Sequence, residues 1–506
     1  MCKRIFQAAL VLLASAAGAI LPGAAVEQVE PDNSGPVKLM CASWLGGPGH
    51  DELVGAAISP DMKVILAGNG SRYQPAGVTP VQLNTGDLLA AVNSMARKVL
   101  NKRAAAGDQG NTSGFVARLS LDGKKVLSYA RLPEGTTIRK MVLDARGTVY
   151  LLCSAGQGSS IGQEIHVAVL PPGANKLSRW IHYPDTIDFA VDGNGDILTL
   201  TNDRLSRWNN EGTASKWSVQ WRCYGEKYTG AMTVSPQTGI AAVVGYGAAN
   251  TGHEPYKDPF AFAFDRAGKQ VWALWNPDPK RERPTELGGN GLMADTSGNL
   301  AAVDRSGNLL LGYFADGGNT IMMRDPRDPA RPLAASVLDG VFQNTPGYGF
   351  VGAAKTSVLF RVEPKTGRLD KGTWLSSWIN PRRANSLQIS AVDTDEDART
   401  FVVGRSYAGC PTRQPWYTCM PNGYRGGGYL AVFDRGFRMV QCGYFPTSDI
   451  SAVGARNGYL VIAGSARDYE DKAKQVPART FNPPQASYGG GDRDGYFAIF
   501  RLPAAR

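Results

Sequence analysis

Two stretches of the 506-residue chain alternate oxygen-bearing side chains at the spacing that opens a calcium loop, Asp192-Gly-Asn194-Gly-Asp196 and Asp393-Thr-Asp395-Glu-Asp397. Alternation within a curled loop lets several carboxylates meet one hard cation. Neither stretch has Gly at its sixth position, and the twelfth positions are Asp203 and Gly404 rather than Glu. Ordinary Asp, Asn and Gly turns therefore compete with calcium at both places. Asp393, Asp395 and Asp397 are the metal candidates, and calcium is the one cofactor the sequence raises.

The four histidines, His50, His166, His182 and His253, show no metal-ligand spacing. His50 and Asp51 lie in a glycine-rich loop, where a structural hydrogen bond is expected. No Gly-x-Ser-x-Gly elbow, phosphate loop or His-Glu-x-x-His motif occurs. No catalytic residue is assigned on local grounds.

Of the seven cysteines, Cys2 sits in a leader-like segment. Cys410 and Cys419 flank a Pro-rich loop and form the best candidate bridge. A zinc site there would need a second ligand pair that neither spacing nor neighbours supply. Cys41 and Cys442 occupy equivalent places in their repeats, and their pairing stays open. The same Pro-rich loop holds Trp416 and Tyr417. Together with Arg425 and Tyr488 these are the binding candidates, since exposed Trp and Tyr beside Arg suit protein or sugar contacts. Trp44, Trp180 and Trp374 are read instead as internal packing.

The formal charge is +10, with basic residues scattered and densest at Lys280-Arg-Glu-Arg283 and Arg382-Arg383. A nucleic-acid module would concentrate them in a recognisable motif, so no nucleic-acid partner is expected. Lys3 and Arg4, the apolar run from Ile5 to Ile20 and the small residues Gly23, Ala24 and Ala25 have the form of a signal peptide over 1–25. No second apolar run is long enough to span a bilayer. The expectation is an exported protein that is periplasmic, at the cell surface or secreted, in which disulfides are permitted.

These residues must be positioned by a repeated element. Gly114-Phe-Val-Ala-Arg-Leu119, a turn, Lys125-Val-Leu-Ser-Tyr129, then Ile138 to Leu143, Asp144-Ala-Arg-Gly147 and Thr148-Val-Tyr-Leu-Leu152 make one unit. Seven segments follow that grammar of four short strands and Gly/Asp turns. The amino-terminal unit lacks its opening strand, and Gly495-Tyr-Phe-Ala-Ile-Phe-Arg-Leu502 at the other end supplies it. The pattern predicts an all-β, seven-bladed β-propeller, with room for an eighth blade, closed by pairing the carboxy-terminal strand with the amino-terminal blade. Closure removes an exposed strand edge.

One propeller domain over 38–503 follows a linker at 26–37 and carries insertions at 71–113, 305–355 and 467–494. The first insertion contains a helix-like piece from Gly86 to Ala106. Leu309 to Phe314, in the second, could belong to an eighth blade.

Trp44-Leu-Gly-Gly-Pro-Gly-His-Asp51, followed by Gly55 to Asp61 and Val64-Ile-Leu-Ala-Gly68, resembles the bacterial β-propeller repeat family abbreviated SBBP. Asp295-Thr-Ser-Gly-Asn299 and Asp192-Gly-Asn-Gly195 look like that family's Asp-x-x-Gly-Asn turn. The other units have lost the Leu-Gly-Gly element. The resemblance implies an exported or surface propeller, commonly without catalytic assignment, and it carries over no active residues.

The expected role is a protein- or glycan-binding or assembly module in the cell envelope or extracellular space. The rival is a propeller-fold envelope enzyme, a hydrolase, lyase or quinoprotein-like protein, with its site at the central funnel. Arg139, Asp188, Arg383 and Asp449 precede buried strands and would reach such a funnel.

Overall fold

The turns explain themselves locally. Asp144 Oδ1 accepts the N–H groups of Arg146 at 2.9 Å and Thr148 at 2.8 Å, while Gly147 adopts a φ of 87° that a side chain would oppose. Asp192 and Asp304 cap their own turns in the same way. An Asp-x-x-Gly sequence is thus a self-capped hairpin, and the alternating apolar runs on either side become its strands.

The computed structural model describes residues 30–71, 73–83, 112–155, 164–223, 226–248, 257–275, 295–316, 321–328, 331–338, 355–380, 383–409, 412–417, 426–445, 447–466 and 479–504. Seven blade-sized sheets form from them, besides a two-stranded ribbon of Ser377–Asn380 and Arg383–Asn385. Blade 1 comprises Glu52–Ile58, Val64–Gly70, Ser113–Leu119 and Val126–Arg131, with Val81–Gln82 added in parallel at its outer edge. Blade 2 comprises Thr136–Leu143, Val149–Ala155, Glu164–Leu170 and Arg179–His182. Blade 3 comprises Asp188–Val191, Ile197–Leu200, Arg204–Trp208 and Ser215–Gln220. Blade 4 comprises Glu226–Val234, Ala241–Ala248, Lys257–Phe264 and Gln270–Leu274.

Blade 5 comprises Thr296–Val303, Leu309–Asp316, Lys355–Val362 and Leu369–Leu375. Blade 6 comprises Leu387–Thr394, Thr400–Ser406, Gly427–Phe433 and Met439–Phe445. Blade 7 joins Asp449–Arg456, Tyr459–Ala466 and Asp494–Arg501 to the amino-terminal strand Lys38–Leu45. The first strand of each blade packs against that of the next, and blade 7 returns to blade 1. The protein is a seven-bladed β-propeller.

Burial follows from the ring. Seven apolar clusters occur, each spanning one blade-to-blade interface. At the seam, Cys41, Val461, Phe497 and Ile499 of blade 7 pack on Leu53, Leu66 and Phe115 of blade 1. Both faces of a blade are covered, which is why its middle strands read as unbroken apolar runs. Fully burying each such side chain contributes about 1.5–3 kcal/mol.

The closing strand pairs as the repeat requires, Trp44 opposite Tyr496 and Leu45 opposite Gly495. The sequence repeat and the blade are offset by two strands. Each repeat's opening pair forms the outer half of one blade, and its second pair forms the inner half of the next.

Three sequence expectations are corrected. The hairpin turn of blade 5 is Asp304 to Gly307, where φ is 89°, and not the similar Asp295 to Asn299 nine residues earlier, which enters the inner strand as a bulge. Gly298 serves closeness instead, because a Cβ there would lie 2.7 Å from the Gly245 nitrogen of blade 4. Leu309 to Phe314 is accordingly the second strand of blade 5, and among the described residues no eighth sheet of propeller size forms.

The linker also docks in part. Asp32 N–H donates to the Trp416 carbonyl at 2.8 Å and Val37 N–H to Gln441 Oε1 at 2.8 Å. Residues 1–29 and the helix-like piece from Gly86 to Ala106 lie outside the described residues.

Candidate functional site

Side chains at the inner strands tie neighbouring blades together. Asn69 of blade 1 accepts from Ile138 N–H at 2.6 Å and donates to its carbonyl at 2.8 Å. Asp188 of blade 3 joins three blades, taking Lys140 Nζ of blade 2 at 2.6 Å and Met232 N–H of blade 4 at 2.8 Å. Ser357 of blade 5 bonds both Leu387 and Ile389 of blade 6, and Ser451 of blade 7 donates to Leu53 of blade 1 at 2.5 Å. Asp188 was expected at the funnel and is instead a buried clamp.

All seven inner strands line an axial channel of about 710 Å³. Its walls are largely apolar, from Ala56 and Ala190 to Ala301 and Val453, with Lys140 in mid-strand and the other charged groups towards the end that carries the inner hairpin turns. Several of those charges are engaged. Asp144 holds Arg146 at 3.1 Å. Arg305 reaches from blade 5 to the Thr394 carbonyl at 3.0 Å and stands 4.0 Å from Asp393. Asp393 accepts Ala455 N–H at 2.8 Å, and burial raises its carboxyl above the ordinary value, with Arg305 opposing.

Both calcium-like stretches hold cationic side chains of the chain itself. The Arg207 guanidinium, 2% exposed, lies 3.3 Å from Asp192 and 3.9 Å from Asp196, and Lys216 Nζ is 2.7 Å from Asp196. Arg399 bonds Asp395 at 2.6 Å and Asp397 at 2.9 Å. Asp393 turns to blade 7 instead, so Asp393, Asp395 and Asp397 do not converge on one point. The alternation that resembles a calcium loop is a self-capped turn closed by a guanidinium.

The other end of the inner strands carries a polar cleft of about 210 Å³ across blades 6, 7 and 1. Glu52, Gln388, Arg405, Tyr407 and Asp449 line it, with Ser390, Ser451 and Ser465. Glu52 is held by Asn69 Nδ2 at 3.2 Å, and Asp449 by Ser465 Oγ at 3.2 Å. The exposed Arg405 guanidinium lies 4.7 Å from the Tyr407 ring centroid. Asp449 was expected near the axis, but its partners are spread over three blades and share no local motif. Glu52, Gln388 and Asp449 stand at or next to the start of their inner strands, a position that recurs from blade to blade, whereas Arg405 and Tyr407 come at or just past the end of the second strand of blade 6.

The aromatic binding candidates fare differently. Trp416 is 0% exposed, packs on Phe445 and Phe500 and donates from Nε1 to the Val37 carbonyl at 2.8 Å. Tyr417 is likewise buried, 3% exposed, against Phe445. Both are core residues of the blade 6–blade 7 interface, not contact residues. Their loop folds inward because the amino-terminal segment covers it.

Tyr488 is half-buried, edge-on to Trp44, with its hydroxyl on the Gly491 carbonyl at 3.0 Å. Arg425, Cys410 and Cys419 lie outside the described residues, as does the side chain of Arg383. Arg139 is exposed. Cys41 and Cys442 are separate buried free thiols, so that pairing is not formed.

Two histidines that have no ligand spacing in sequence meet in space. His166 and His182 stand opposite each other on the outer strands of blade 2, and Glu164 shares their face. His50 bonds Asp492 at 2.8 Å on the surface, while His253 lies outside the described residues.

No family model and no curated protein matches the chain. Solved structures of similar shape include Raptor of Chaetomium thermophilum, 11% identical with a TM-score of 0.46, where the match spans 92% of this chain and 30% of that one. Hydrazine synthase of Kuenenia stuttgartiensis is 10% identical with a TM-score of 0.36, over 64% of this chain and 74% of that one. A chain of a mitotic checkpoint complex is 7% identical with a TM-score of 0.39, over 78% and 85%. These likenesses carry no inference about activity or partners. Among the described residues no helix is long and apolar enough to cross a membrane.

Proposed function

We propose that this propeller is an exported, SBBP-like binding or assembly module that takes a protein or glycan in the cell envelope or extracellular space. The observation that carries the reading is the cleft of Glu52, Gln388, Arg405, Tyr407 and Asp449. Carboxylates accept hydroxyl or amine protons, a guanidinium donates in pairs, and an aromatic face stacks. That mixture suits a sugar residue or a polar peptide side chain. The largely apolar wall of the axial channel supports binding over the rival funnel enzyme. The leader-like amino terminus supports export.

The test is a glycan array and an envelope-protein pull-down with the purified protein, repeated with Arg405→Ala and Glu52→Gln. Binding that falls at least tenfold in both variants supports the site. Binding indifferent to both places the contact elsewhere, and no ligand in either format sinks the reading.

A further inference from the structure

Glu164 and His166 are two residues apart on one strand, so alternation sends both side chains to the same face. His182 is the direct cross-strand partner of His166 on the neighbouring edge strand. One ligand atom from each of the three lies within 4.8 Å of the others. Glu164 Oε2 and His166 Nε2 are 3.4 Å apart. Bonds of about 2.1 Å in a tetrahedral zinc site put neighbouring ligand atoms about 3.4 Å apart, so this edge already has the right length.

The remaining adjustment falls on groups free to make it, because Glu164 is half-exposed and His182 exposed. His166 is the anchored member. It is 8% exposed, its ring is stacked on Trp180 at 4.8 Å, and its Nδ1 has no hydrogen-bond partner despite burial. Its Nε2 is the nitrogen that faces Glu164 and is the atom an ion would take, which leaves the buried Nδ1 as the ring's N–H.

From this arrangement we propose that Glu164, His166 and His182 form a binding site for a borderline divalent transition-metal ion, zinc being the reference. Two imidazoles and one carboxylate are the donor set such ions favour over calcium or magnesium. Three protein ligands leave a fourth position open to water or to a group from a partner. The site lies at the rim of blade 2, clear of the cleft on blades 6, 7 and 1. It stands independently of the proposed function.

The test uses the untagged full chain. Equilibrium dialysis with zinc is expected to give one ion per chain, and cobalt in its place is expected to give visible absorption bands of a four- or five-coordinate site. His182→Ala and Glu164→Gln change accessible groups and should keep the wild-type circular dichroism while weakening zinc at least tenfold and abolishing the cobalt bands. Absence of saturable binding at one equivalent overturns the proposal. So does binding that both variants leave unchanged.

Discussion

Asp51, in the glycine-rich loop after the first strand, and Asp494, at the start of the last, bring two buried carboxyl groups together at the ring seam. A Cβ on Gly46 would stand 2.6 Å from Asp494 Oδ1 and 3.1 Å from the Asp51 Cβ, so glycine is required between them. Asp51 also holds the loop, accepting Gly47 N–H and Ser71 N–H at 2.9 Å each.

Burial, reinforced by the neighbouring Asp51 carboxylate, pushes Asp494 from the ordinary 3.8 up to about 8. Between those values the folded chain keeps a proton that the unfolded chain has released. Stability contributed by this group therefore declines as pH rises from about 4 to about 8. The melting temperature should fall on raising pH across that window, and Asp494→Asn should flatten the fall. An identical profile in the variant would assign the pH dependence to other groups.

Trp416→Ala should cost about 3–5 kcal/mol, because it empties a site walled by Phe445 and Phe500 and strands the Val37 carbonyl. Urea denaturation followed by tryptophan fluorescence measures it. A stability change within error would mean that this side chain is not core.

Asp188→Ala removes the acceptor that Lys140 and the Met232 N–H share. A loss of about 2–4 kcal/mol is expected, since a charged hydrogen-bond partner is withdrawn from a buried setting. The same denaturation experiment reads it, with Arg139→Ala, an exposed neighbour, expected to change stability by about 0.5 kcal/mol or less.

Arg399 occupies the position between Asp395 and Asp397 that a cation would take. Millimolar calcium should therefore leave the wild-type melting temperature unchanged. Arg399→Ala should melt lower and regain part of the difference when calcium is added. A calcium-dependent rise in the wild type would restore the metal reading.

Much of the fold is legible because its causes are local. Asp144 to Gly147 and Asp192 to Gly195 read as turns in sequence and are turns in the structure. Asp295 to Asn299 shows the limit. It spells the same turn as Asp304 to Asn308, and only packing against blade 4 selects the second. Trp416 misled for a related reason, since its burial depends on Val37, far away along the chain.

Sequence alone determined the strand-and-turn rhythm and the ring closure, because alternation, self-capping Asp and the missing strand of the first repeat are written in short segments. Tertiary structure alone decided which residues converge on a shared cleft or cluster. Glu52, Gln388, Arg405 and Asp449 come from three blades, and His166 meets His182 through strand register. Such convergence depends on how blades close into a ring, and no local propensity encodes the distance between residues on different blades.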